Sequence, residues 1–410
     1  MEKISDNEKK EECRCLIKEF IDEIGHGILP FWLKFSVDNK NGGFYGRVDN
    51  LGNAIPDAPK SLILNTRILW TFSEAYSAFG NMEYLKMADR AYEYLLEYFY
   101  DREFGGVYWL LDSQGVPLDD KKKAYGHAFM IYALASYYRV TGKRAALDSA
   151  VGVFNLIERH FLDKENGGYF EAALRDWGVA EDMRLSAIDM NEKKSMNAHL
   201  HILEAYTNLL RVWRGPTLKE QIVNLLKIFR DHIINPDTGH FNLFFDEAWQ
   251  IKSGQVSSGH DIEGSWLLWE SAELINDLEL KNEFKKIAVL QATAVLDRCL
   301  DHDGSLVYEI HPDGTMNMEK HWWVQAEAMV GFLNAYELTG DDKFFRAMKD
   351  VWQYIQANLI DTENGEWFYK RLHDEKVDEK EFKISEWKGP YHNSRACLEI
   401  AGRLNRLIKG

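Results

Sequence analysis

Cysteine is scarce in this 410-residue chain. The four copies, Cys13, Cys15, Cys299 and Cys397, have neither paired metal-ligand spacing nor the density of a disulfide scaffold. All four are expected to be reduced thiols, with a Cys13–Cys15 redox pair as the alternative. Proline is sparse at eight copies, and no Pro/Gly/Ser-rich stretch marks a linker, so one large domain spanning 1–410 is expected. No apolar run approaches the ~18 residues of a membrane span. The segment Met1–Cys15 is crowded with Lys and Glu and lacks an apolar signal core, which reads as a cytoplasmic protein. Basic charge is also short: the net charge is −16, and the longest basic run is Lys121-Lys122-Lys123. That balance opposes nucleic acid and anionic membranes as partners. The lysine run itself reads as a solvated loop.

What is present is a repeat. Six turns, roughly 60–70 residues apart, run from glycine into aromatic or β-branched residues. They are Asn41-Gly42-Gly43-Phe44-Tyr45, Phe104-Gly105-Gly106-Val107-Tyr108, Asn166-Gly167-Gly168-Tyr169-Phe170, Thr238-Gly239-His240-Phe241, Asp303-Gly304-Ser305-Leu306 and Asn364-Gly365-Glu366-Trp367-Phe368. Glycine reaches the positive φ of a tight turn, and the residues after it favour a short strand. Between turns lie paired helical patterns. In the first, Ile63, Leu64, Ile68, Leu69, Phe72 and Tyr76 recur at three- and four-residue steps, followed by 84–98. The pairing returns at 124–140 with 144–161, 195–213 with 218–234, 259–277 with 281–299, and 321–339 with 342–360. Helices at 9–28 and 390–408 complete six hairpins, an all-α (α/α)6 barrel with short β-hairpin and loop segments at one mouth. Closure lets so long a chain remain one domain. An open α-solenoid of the same hairpins is the alternative.

In such a barrel the first turns of the inner helices converge at one mouth, and there the sequence is polar and aromatic. Arg67, Tyr125 and His127, then Asn197, His199 and His201, then His260 and Glu263, Trp322 and Trp323, and finally His392 and Arg395 occupy these starts. Asn197 shares a helix face with His201, as His260 does with Glu263, whereas His199 must look elsewhere. Imidazole exchanges protons near neutral pH, so two of them can remove and return one. The forked cation of Arg67 suits an enolate oxygen, and Glu263 suits a neighbouring imidazole, holding its tautomer or raising its basicity. Trp322, Trp323 and Trp387 offer flat faces for pyranose rings, two of the three being expected to reach the cavity. The long connections 171–194 and 370–389 are candidate walls, with Asp189 and Trp177 as possible substrate contacts.

These residues carry a resemblance. The chain resembles the N-acylglucosamine 2-epimerase superfamily, and within it the cellobiose 2-epimerases, nearly end to end. The likeness is carried by Asn41–Gly46, Ile63–Trp70, Ser195–His201, Gly259–Glu263, Trp322–Glu327 and Trp387–Asn393. The resemblance implies inversion of C2 in the reducing-end glucose of β-1,4-linked disaccharides: cellobiose to glucosyl-mannose, lactose to epilactose. It makes His260 and His392 the acid/base pair, has Arg67 steady a cis-enediolate, has Glu263 support the histidines and has His201 assist ring opening. Tyr125, Asn197 and Asp189 would contact the reducing-end sugar, and Trp322, Trp323 and Trp387 the rings. Ser394 stands where the family pattern expects glycine. No cofactor or metal is called for, and the enzyme is expected to act as a monomer on a small sugar.

Four other readings stay open. A monosaccharide 2-epimerase or aldose–ketose isomerase would use nearly the same residues. Glycoside hydrolysis would need two carboxylates where this chain offers histidines and one Glu. A zinc-dependent isomerase would use His201, His260, Glu263 and His392 as ligands. A non-catalytic sugar-binding module would not need the histidines.

Overall fold

The computed structural model describes residues 6–409; residues 1–5 and 410 of the expected 1–410 domain lie outside the described residues. Thirteen α-helices follow in order: α1 (Asp6–Asp22), α2 (Leu29–Phe35), α3 (Leu62–Phe79), α4 (Met82–Tyr94), α5 (Ala124–Thr141), α6 (Arg144–His160), α7 (Met196–Val212), α8 (Leu218–Ile228), α9 (Ser258–Ile275), α10 (Leu278–Arg298), α11 (Trp322–Thr339), α12 (Asp342–Asn358) and α13 (Tyr391–Lys409). Helices α3, α5, α7, α9, α11 and α13 pack each on the next, and α13 returns to α3, while α1 packs behind α13. The ring is therefore closed, an (α/α)6 barrel rather than a solenoid. The inner helices are buried almost all round, whereas the outer ones bury a single apolar face, as their positions require.

At the rear the connections are tight. Gly80, Gly142 and Gly340 take left-handed φ values of 66°, 67° and 69° to end α3, α5 and α11, and Asn276 does the same for α9 at 56°. At the front the connections are long and carry the glycine turns. Each turn closes on a single antiparallel bridge, such as Tyr100 with Val107 or Leu162 with Tyr169. The expected strands thus lie elsewhere: two-residue strands such as Lys60–Ser61 and Lys194–Ser195 lead directly into the inner helices. The first helix also runs beyond its expected end at 28. A π-helical turn, Glu23–Ile28, passes into α2, accommodating Pro30, whose ring and missing N–H would break a regular α-helix.

The front loops are tied by buried charge. An Asp at the head of a turn pairs with a lysine in five units: Asp38 with Lys60 at 2.9 Å, Asp101 with Lys122 at 2.8 Å, Asp163 with Lys194 at 2.7 Å, Asp301 with Lys320 at 2.7 Å and Asp361 with Lys383 at 2.6 Å. In the fourth unit Asn235 takes the Asp position, its Oδ1 accepting the N–H groups of Asp237 and Thr238, and Val256 stands where the lysine would be. Both partners have changed together. The Lys121–Lys123 run is accordingly not the solvated loop its composition suggested: Lys122 and Lys123 are buried. Lys123 Nζ donates to the carbonyls of Arg184 and Leu185, pinning the loop that carries Asp189. All four cysteines are free thiols.

Breaking one such pair leaves a buried charge, at a cost of about 3–5 kcal/mol. Lys60→Val should lower stability by that order in urea unfolding. Adding Asp38→Asn, which copies the fourth unit, should recover more than half of the loss.

Candidate active site

The front mouth opens on a cavity of about 190 Å³ lined by all eleven residues expected there: Arg67, Tyr125, Asp189, Asn197, His201, His260, Glu263, Trp322, Trp323, Trp387 and His392. All three tryptophans reach it, not two of three. Trp322 leans over Tyr369, Trp323 meets both His260 and His392 at 4.8 and 5.7 Å, and Trp387 from its loop meets Tyr125. Leu185, Ser186, Ile188, Tyr308 and Tyr369 complete the lining. They sit on loops without periodicity: the length of the 171–194 connection hinted at Leu185, Ser186 and Ile188, and nothing pointed to Tyr308 and Tyr369. A groove of about 430 Å³ continues outward, sharing Asp189, Asn197, His260 and Tyr308. A larger cavity of about 800 Å³ opens at the rear, but its arginines are largely matched: Arg139 by Glu74, Arg211 by Glu270 and Arg403 by Glu337.

Other candidates turn away. His127 and His199 accept the backbone N–H groups of Val107 and Tyr169 at 3.2 and 2.9 Å, so they hold the glycine turns. Trp177 stacks on His160 at 4.2 Å and donates to the carbonyl of Phe104, plugging the second turn rather than lining the site.

Below the cavity lies a buried charge cluster centred on Arg395. Its guanidinium donates to Glu204, to the Tyr391 hydroxyl, to Glu263 at 2.5 Å and to Glu327 at 2.6 Å. Two imidazoles rest on the same carboxylates. His201 Nδ1 donates to Glu204 Oε2 at 2.8 Å, and His392 Nδ1 to Glu327 Oε1 at 2.7 Å. A carboxylate can only accept, so both histidines present an Nε2 lone pair to the cavity. The expectation that Glu263 holds a histidine is corrected here. Its hydrogen bond goes to Arg395, and the carboxylates that orient imidazoles are Glu204 and Glu327, one turn beyond the residues the helix-start pattern singled out.

One cation cannot balance three buried carboxylates. Burial and the charge on Glu327 push Glu263 well above the usual range, whereas at Glu204 burial is outweighed by Arg395 and His201, which hold it at about 2. Burial also lowers the histidines: His260 to about 3, helped by His201, and His392 well below its ordinary value, helped by Arg67 and Arg395. The imidazoles are bases in waiting. Arg67 donates to the Trp387 carbonyl and to Tyr125 Oη at 3.2 Å, its plane over Phe129. Asn197 Oδ1 and Trp322 Nε1 have no protein partner and remain available to a ligand. Glu263, Glu327 and His392 offer ligand atoms within 4.8 Å of one another. A divalent ion there would meet the Arg395 guanidinium already seated on both carboxylates.

Residues 43–396 match the model of the N-acylglucosamine 2-epimerase (GlcNAc 2-epimerase) family, and the chain belongs to that family. It is 46% identical over 388 residues to a cellobiose 2-epimerase of Bacteroides fragilis, covering 94% of this chain and 99% of that protein. A cellobiose 2-epimerase of Ruminococcus albus is 39% identical, with 95% and 99% covered. Among solved structures, the cellobiose 2-epimerase of Spirochaeta thermophila is 39% identical and superposes with a TM-score of 0.92 over 97% of this chain and 98% of that one.

Arg395→Met would leave three carboxylates facing one another. A loss of at least about 3 kcal/mol is expected at neutral pH. The deficit should narrow as pH falls toward about 4.5, because carboxyls of raised pKa take up protons in the folded state; urea unfolding across pH measures both.

Proposed function

We propose that this enzyme inverts C2 of the reducing-end glucose in β-1,4-linked disaccharides, turning cellobiose into glucosyl-mannose and lactose into epilactose. The observation that carries this reading is the pair His260 and His392, both against the Trp323 ring in one cavity that Arg67 also lines. Relatives that bear the name cellobiose 2-epimerase support it across nearly the whole chain.

The chemistry follows from the groups. His201 assists opening of the pyranose, moving the O1 proton while O5 gains one, so that C2 becomes acidic beside a free aldehyde. One histidine takes the C2 proton, and the bonding pair enters the C1–C2 bond as negative charge builds on O1. Arg67 faces that charge, and the planar cis-enediolate is held in a dry site where a cation acts strongly. The other histidine, neutral at rest, takes a proton from water as the enediolate charge forms and delivers it to the opposite face, while the first returns its proton to water. An imidazole whose pKa is lowered by burial is a strong acid once charged, which favours return to carbon. Tyr125, Asn197 and Asp189 bind the reducing-end sugar, and the three tryptophans meet the rings. Glycoside hydrolysis is disfavoured because Glu204 and Glu327 are committed to Arg395 and the histidines. We further read the chain as one catalytic domain, monomeric and cytoplasmic, working without a cofactor; no helix among the described residues is long and apolar enough to cross a membrane.

Proton NMR of cellobiose in heavy water with purified enzyme and chelator tests the reading. Deuterium should enter C2 as a mannose-type reducing end appears; a ketose, free glucose or turnover only of monosaccharides would overturn it. His260→Asn and His392→Asn should each lower turnover by about 10²–10⁴-fold while the far-UV spectrum stays unchanged. Because burial depresses both imidazoles, the acid limb of kcat/KM should lie below the ordinary histidine value of about 6.5.

A further inference from the structure

The repeat supplies an internal control for one serine. Ser61, Ser195 and Ser257 stand at the same place, the last residue of the short strand entering an inner helix. Ser61 Oγ accepts the N–H of Leu64 at 3.0 Å and Ser195 Oγ that of Ala198 at 3.1 Å, ordinary caps on the third residue along. Ser257 makes no such cap. Its hydroxyl instead meets the side chain of its own third residue along, His260 Nδ1, at 2.7 Å. A cap is worth about 1 kcal/mol, so α9 forgoes that stabilisation.

The partner differs in kind from those of the other two site histidines. Glu204 and Glu327 only accept, which fixes His201 and His392 with the proton on Nδ1. A hydroxyl donates or accepts by rotation. His260 is half-buried where His201 and His392 are buried, which leaves it an edge for proton exchange with water.

Resting on the epimerase reading, we propose that Ser257 is a positioning residue that lets His260 adopt either neutral tautomer. With the hydroxyl donating to Nδ1, the Nε2–H offers a hydrogen bond to a sugar oxygen, with no proton transferred. With the hydroxyl accepting from Nδ1–H, the Nε2 lone pair faces C2 and can take its proton, giving an imidazolium still held by Ser257. Exchange between the two takes one proton from water and returns one, so composition is unchanged. The charged and titratable groups around His260 are His201, Glu327, Glu263, His392, Asp189 and Arg67. Burial and His201 keep it neutral, the state in which tautomers matter.

Nitrogen-15 NMR of the imidazoles, assigned with single His→Gln variants, tests this. In the unaltered enzyme His260 should give ring shifts averaged between the two tautomers, with His201 and His392 at the Nδ1–H limit. Ser257→Asp should move His260 to that same limit and lower kcat for C2 deuterium exchange by about 10–100-fold, with KM nearly unchanged. Ser257→Ala should lose activity similarly, and Ser257→Thr, which keeps a hydroxyl, should restore most of it. A single His260 tautomer in the unaltered enzyme, or full turnover in Ser257→Asp, would overturn the proposal. Averaged shifts in a protein inert toward cellobiose would overturn the reaction while upholding the tautomer pair.

Discussion

Arg395 is the group on which the site depends. Its guanidinium draws together Glu204 from α7, Glu263 from α9 and Glu327 from α11, joining four of the six inner helices through one buried cation. The same carboxylates then fix the imidazoles of His201 and His392. Such a cluster tolerates little displacement, because a carboxylate that lost the cation would be a buried charge without a partner. Relative helix position and imidazole orientation are therefore set by one electrostatic arrangement.

The sixfold repeat explains how that arrangement arises on a common scaffold. Early in four of the inner helices one position serves the glycine turn: His127, His199, Asp261 and Gln325 accept the backbone N–H groups of Val107, Tyr169, Phe241 and Leu306. Two residues further on, the same helices carry Phe129, His201, Glu263 and Glu327, and these face the barrel axis. Histidine thus appears twice with opposite duties, and its place in the repeat decides which. Structural and site histidines are set two residues apart, a little over half a helical turn, and so look to nearly opposite sides.

The fold was legible because glycine turns and helical periodicity both recur, and each has a local cause. Nine of the lining residues were legible too, since inner-helix starts in a closed ring must converge, while Asp189 and Trp387 were reached through their loops. What stayed hidden was pairing across the repeat. Nothing in the sequence around Lys122 says that Asp101 lies beside it, so a buried lysine looked like a solvated one. Glu204 and Glu327 lie one turn deeper than the mouth and look like ordinary helix residues until α13 brings Arg395 between them. Trp177 read as a sugar contact because aromatic loop residues near a mouth commonly are; its left-handed φ of 70° turns it onto His160 instead.

The placement of the two histidines proposed to exchange the C2 proton also follows from the repeat. Exchange at both faces of one carbon needs bases that approach from opposite sides, and neighbouring inner helices would set them side by side. His260 and His392 come from α9 and α13, with α11 between them, and α11 contributes Trp323 to the gap. The indole of Trp323 lies against both imidazoles. It also gives the space between them a flat wall that a planar enediolate can match. Skipping one unit of six is what separates His260 from His392 in a ring of similar helices.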